Sequence, residues 1–179
     1  MAKRGYNRDT IRGGASDWDV SRPFSSYLRL LASLLVHPGR FFEVLPRIPD
    51  MRAPGLFLGF CGLPTALFWL IAGGLYPALI ALLLPLPLSF AVAGLYHVGA
   101  LGGRHGYQVT WRTVAYPLGF YLPLTAVPDL RWVAGVYAGV ALLSIGLSRV
   151  QEISFVRAVL ASAVVTGLLL AAAYMIFQL

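Results

Sequence analysis

Apolar residues run in long blocks through most of this chain, and the places where polar residues interrupt them set out its elements. From Ala53 to Gly103 there is no Asp, Glu, Lys or Arg in 51 residues. A membrane-crossing helix needs about 20 apolar residues, so this block predicts two crossings, at 54–72 and 76–100, with Gly73-Gly74 as the turn between them. Three further apolar segments follow, at 109–128, 131–148 and 156–177, separated by Asp129 with Arg131 and by the Arg149 to Arg157 link. Ahead of the block, Tyr27, Leu30, Leu31, Leu34 and Leu35 recur at helical spacing opposite Ser26, Arg29 and Ser33, the pattern of an amphipathic helix. His37-Pro38 ends it, because the residue before a proline is pushed out of the helical region. A short second turn carries Phe41, Phe42 and Leu45 on one side, with Glu43 and Arg47 spaced for an i,i+4 pair.

The expected fold is an all-α integral membrane protein. Five transmembrane helices with proline kinks are preceded by an interfacial amphipathic helix. Residues 1–22 are polar and aperiodic and read as a disordered basic tail; 23–52 form the interfacial arm and 53–179 the membrane domain. Leu31, Leu34, Phe41 and Phe42 are the arm residues assigned to the lipid surface or to packing on the bundle. Pro64, Pro85, Pro87, Pro117 and Pro123 fall inside apolar segments, where each removes a backbone donor. Pro85-Leu86-Pro87 therefore predicts a break facing protein rather than lipid.

Composition agrees with this reading: 58% of residues are hydrophobic and 12% charged, about half the charged share of a soluble domain. The net charge of +7 suggests nucleic acid only until its placement is considered. With five crossings and the N-terminus inside, thirteen of the fourteen Lys and Arg residues fall on the cytoplasmic side, and only Arg131 lies outside, beside Asp129. That is the positive-inside asymmetry. Aromatic residues do not interleave with these cations as base stacking requires, so the partners implied are the bilayer and other membrane proteins, not nucleic acid. The first long apolar run starts far beyond a signal-peptide position, so the N-terminus is expected to remain attached in the cytoplasm. Oligomeric state is not readable. Gly55 with Gly59 and Gly135 with Gly139 have the small-residue spacing of close helix approach, with packing inside the chain the favoured use. Cys61 sits inside a span.

Candidate chemistry is sparse. His97 and His105 flank Gly102 and Gly103, with Gly106 next, but a metal site needs three or four ligands and nothing nearby completes one. The glycines lack the strand and the Gly-Lys-Ser/Thr of a phosphate loop and read as a tight turn. Arg104 and Arg112 are placed at headgroup level, with Trp111 as an interfacial anchor. Gly102, Gly103, Arg104, His105, Arg112, Arg149 and Arg157 form the candidate cytoplasmic interaction surface. No catalytic residue, metal or cofactor is assigned.

Several short motifs recur in a recognisable order: His37-Pro38-Gly39-Arg40-Phe41-Phe42, the Gly102-Gly103 turn with Thr110 and Thr113, then Tyr116, Pro123, Val127-Pro128, Tyr137, Gly146-Leu147 and Arg157-Ala158. In this the chain resembles the prokaryotic branch of the Yip (Ypt-interacting protein) domain family of five-span membrane proteins, over roughly Leu30 to Tyr174. Tyr116, Pro123 and Tyr137 carry the signature within the spans. The resemblance implies a non-catalytic membrane protein acting in protein interaction or membrane organisation. Eukaryotic relatives bind Rab-type GTPases through an N-terminal Asp-Leu-Tyr-Gly-Pro-like motif, which this chain lacks, so that activity is not carried over. A small transporter, channel component or lipid-scrambling protein is the alternative, motivated by the proline-broken spans. A membrane enzyme using His97 and His105 ranks last, because no acid and base pair is visible.

Overall fold

The computed structural model describes Trp18 and residues 22–47, 51–100 and 103–178. The tail expected over 1–22 lies almost wholly outside the described residues, as does Gly102. Among the described residues all regular structure is helical. Helices α1 (Pro23–Val36) and α2 (Pro38–Val44) form the arm. They are followed by α3 (Arg52–Gly73), α4 (Leu75–Leu83), α5 (Pro85–Gly99), α6 (Tyr107–Leu124), α7 (Pro128–Val150) and α8 (Phe155–Gln178).

Helices α3, α7 and α8 are long and apolar enough to cross a membrane, and α4 with α5 makes a fourth crossing if that bent pair is one span. The pair bends by 42° where α5 restarts at Pro85, since Pro85 and Pro87 bring no N–H to the carbonyls one turn back. Pro85 is buried, but Leu84, Leu86 and Leu88 around it are exposed, so the break looks partly outward rather than wholly onto protein. Gly74 joins α3 to α4 with φ 83, a left-handed conformation that glycine adopts without steric cost. Within α7, Tyr137–Leu142 forms a π-helical turn.

The bundle is assembled around α6. Phe57 meets Tyr116 at 5.2 Å between ring centres, and Thr65 donates to the Leu122 carbonyl at 2.9 Å. A Cβ on Gly119 would stand 3.2 Å from Cys61 Sγ. Positions 57, 61 and 65 thus meet 116, 119 and 122 in the same order, so α3 and α6 run parallel. In the opposite sense, Gly146 faces Thr113 and Gly135 faces Tyr121, so α7 runs antiparallel to α6. Residues Val109 through Pro117 of α6 are all buried. Leu67, Ile71, Leu83, Val133, Leu160, Leu168 and other large apolar side chains of the outer helices face outward, an apolar exterior that suits hydrocarbon rather than water.

Candidate functional site

One end of the bundle gathers its polar groups into a network at the link between α7 and α8. Gln151 is buried. Its Nε2 donates to Thr110 Oγ1 at 2.8 Å, and its Oε1 accepts from the His105 backbone N–H at 3.0 Å. Its carbonyl accepts from the Arg104 N–H at 3.0 Å. Thr110 in turn lies 2.8 Å from His97 Nδ1, so α5, α6, the 103–106 turn and the link share one hydrogen-bonded cluster. A Cβ on Gly103 would approach Gln151 Oε1 to 2.7 Å, so only glycine lets the turn close on this side chain.

Glu152 follows with φ 56, a left-handed conformation that costs a non-glycine residue about 1–3 kcal/mol. It is held there from two sides: Arg47 at the end of the arm contacts its carboxylate at 2.5 Å and Arg104 from the turn at 2.6 Å. Arg47 also donates to the Arg149 carbonyl at 3.3 Å. The hydrogen bond from Arg104, reinforced by the charge of both arginines, holds the Glu152 carboxyl below its usual range despite some opposing desolvation. His105 is pushed below its ordinary value, first by burial and then by Arg47 and Arg104, with Glu152 acting against them. Its Nε2 is buried and has no hydrogen-bond partner among the described residues.

The structure therefore brings Gly103, Arg104, His105 and the start of the Arg149 to Arg157 link together with the arm, and it buries other expected site residues in the bundle. Arg112 is fully buried and Trp111 is 1% exposed, so neither faces lipid or water, because α6 enters the bundle core immediately after its first turn. Trp111 stacks on Phe90 at 4.8 Å and donates to Ser89 Oγ at 2.8 Å. Leu34, Phe41 and Phe42 are buried in the bundle: Phe41 meets Tyr116 at 5.1 Å, and Phe42 fills the space left by Gly146. Of the arm residues assigned to lipid or bundle, Leu31 alone is half-exposed. Arg149 and Arg157 are exposed. Tyr116 is buried, Pro123 half-buried within α6, and Tyr137 lies on the π turn against Phe120.

Sequence spacing paired Glu43 with Arg47, whereas Arg47 bonds Glu152. The chain leaves α2 after Val44, with Leu45 extended, which carries residue 47 off the helix face. Gln151, Glu152 and Arg47 hold this network together, and no motif marks them, since a lone amide beside an acid in a polar link has no signature in sequence. His97 and His105 sit on separate parts of the cluster. Among the described residues no three His, Cys, Asp or Glu side chains stand close enough to hold a metal.

No protein-family model, curated protein or solved structure matches this chain.

A second feature lies within the bundle. A cavity of about 270 Å³ is bounded by Leu88, Tyr96, Pro117, Gly139, Thr166 and Leu170, among others. At one end the Tyr96 hydroxyl lies 2.8 Å from Thr166 Oγ1 and donates to the Gly139 carbonyl at 3.2 Å. Apart from Tyr121, the other side chains of its wall are hydrocarbon.

Proposed function

We propose that this chain is a non-catalytic, multi-pass protein of the cell membrane, of the Yip-domain type, that acts through partner proteins or membrane organisation. In this reading α6 is the fifth crossing. Its polarity, which keeps it out of a purely compositional count, is accommodated because its neighbours shield it from lipid. The parallel course of α3 and α6 and the antiparallel course of α7 support that reading. The N-terminus is placed in the cytoplasm and the C-terminus outside, by the distribution of Lys and Arg.

The observation that carries the functional part is the convergence of the arm, the 103–106 turn and the link on Gln151 and Glu152. Three segments far apart in sequence are locked into one basic face carrying Arg104, Arg149 and Arg157, a fixed surface of the kind partner recognition needs. The test is photo-crosslinking in cells from positions 104 and 157, with the lipid-facing position 71 as control. A discrete protein adduct from 104 and 157, lost when Gln151→Leu loosens the face, is expected. Identical patterns from all three positions would overturn the reading.

The arm also supports attachment to the bilayer surface. At about 100° per residue, α1 divides into three sectors. Ser26, Leu30 and Leu34 are buried on the bundle, and Arg22, Ser25, Arg29 and Ser33 form a polar sector. Phe24, Leu28, Leu31 and Leu35 form an apolar stripe whose first two members are exposed. Val36, at the helix end, is the exposed apolar exception in the polar sector. A helix lying where protein, lipid and water meet has these three faces.

The lipid-handling alternative is favoured by the 270 Å³ cavity, around which the α4–α5 break, Pro117 and the π turn are grouped. Lipid scrambling by the purified protein in liposomes decides it: rates equal to those of empty vesicles remove it.

A further inference from the structure

A separate recess of about 560 Å³ opens between α2 and the junction of α7 with α8, where Glu43, Arg47, Ile145, Ser148, Arg149 and Phe155 line it. Because Arg47 turns to Glu152, Glu43 loses the partner that its spacing offers. Glu43 and the Arg149 side chain thus carry opposite charges into the same recess with no ion pair to each other. Both are exposed. Ile145 and Phe155 give it apolar walls, and Phe155 begins α8, which places the recess at headgroup depth if α8 crosses as proposed.

The charge pattern restricts the ligand. A purely anionic group is repelled by Glu43, and a purely cationic one by Arg149, while the charge of Arg47 is already balanced by Glu152. A zwitterion with a phosphate and an ammonium a few bonds apart meets both. Guanidinium binds phosphate through paired N–H groups, and a primary ammonium brings three donors to a carboxylate. A trimethylammonium brings none. The apolar walls suit the glycerol and first acyl carbons that a lipid carries behind its headgroup.

We infer that this recess binds a phosphoethanolamine headgroup of a membrane lipid, with its ammonium on Glu43 and its phosphate on Arg149 beside Arg47. The inference rests on the proposed membrane placement and adds a ligand to the same face.

The test is native mass spectrometry of the full chain released from nanodiscs holding phosphatidylethanolamine, phosphatidylcholine and phosphatidylglycerol with identical acyl chains. Retention of the ethanolamine lipid about tenfold over the other two is expected, the scale of one charge-assisted hydrogen bond. Glu43→Gln should abolish that preference, and Arg149→Gln should lower retention of all three. Since both residues are exposed and unpaired, an unchanged thermal midpoint is expected for each; Glu43→Ala serves as a second variant. Equal retention of the three lipids, or a preference untouched by both substitutions, overturns the site. Addition of soluble O-phosphoethanolamine separates the sources: displacement of the lipid only at large excess supports a lipid ligand, and binding of the free compound as tightly as the lipid overturns it. Failure here leaves the crossing pattern intact, since that is read by thiol labelling from outside.

Discussion

At the scale of single residues, the chain's polar side chains matter because so few of them are left to share a task. Gln151 satisfies a threonine hydroxyl and the backbone donor of the turn at once. Gln151→Leu leaves the His105 N–H without its acceptor, and an unsatisfied buried group costs about 1–3 kcal/mol. A lowered thermal midpoint in detergent and faster hydrogen exchange over 103–106 are the expected results. The same network has a direction in pH. His105 is held below its ordinary pKa, first by desolvation and then by Arg47 and Arg104, with Glu152 opposing. The unfolded turn therefore binds more protons than the folded one between that lowered value and the ordinary value of about 6.5, and stability falls as pH drops through that window. Glu152, whose folded pKa is depressed, adds a second loss only below the ordinary carboxylate range. Exchange over 103–106, corrected for its intrinsic pH dependence, should rise between pH 7.5 and 5.5 in the native chain and stay flat in His105→Asn.

Among the elements, α1 and α7 show how far pattern reading reaches. The period of α1 was plain in the sequence, but Tyr27, Leu30, Leu31, Leu34 and Leu35 read as one apolar face. In the structure Leu30 and Leu34 turn to the bundle, while Leu31 and Leu35 lie with Phe24 and Leu28 on another sector. Periodicity marks apolar positions without saying which hydrocarbon they meet. Nitroxides at 24 and 28 should be relaxed by oxygen, one at 29 by a water-soluble nickel complex, and one at 30 by neither; quenching of 24 and 28 by nickel alone would place the stripe in water. Burial along α6 is equally invisible to local pattern. Arg112 beside Trp111 looks like an interfacial pair, and burial by four surrounding helices has no trace in local sequence. In α7, Gly139 lets α8 approach so closely that a Cβ would stand 2.5 Å from Thr166 Oγ1. Gly139→Ala should destabilise by about 1–3 kcal/mol through overpacking, with Thr166→Ala restoring part of the loss; thermal unfolding in detergent measures both. Gly55 and Gly59, with the same spacing, meet nothing within 4 Å, so the motif alone did not distinguish a packed face from an open one.

For the whole molecule, the apolar blocks made the helical membrane architecture legible, because charges are excluded from lipid-facing spans over long windows. The meeting of arm, turn and link was legible only as adjacency on one side of the membrane; the residues that join them, Gln151 and Glu152, depend on contacts across more than forty positions. The central proposal is that α6 crosses between α3, α5 and α7 and puts the 103–106 turn and the 151–154 link on one side. Cysteine at Val127, in the exposed turn after α6, tests this most directly, since native Cys61 is fully buried. Intact cells are treated with a membrane-impermeant maleimide, with cysteines at 105 and 152 as companions. Labelling of 127 in intact cells, and of 105 and 152 only after permeabilisation, is the expected result. Protection of 127 together with outside labelling of 152 would contradict the five-crossing arrangement.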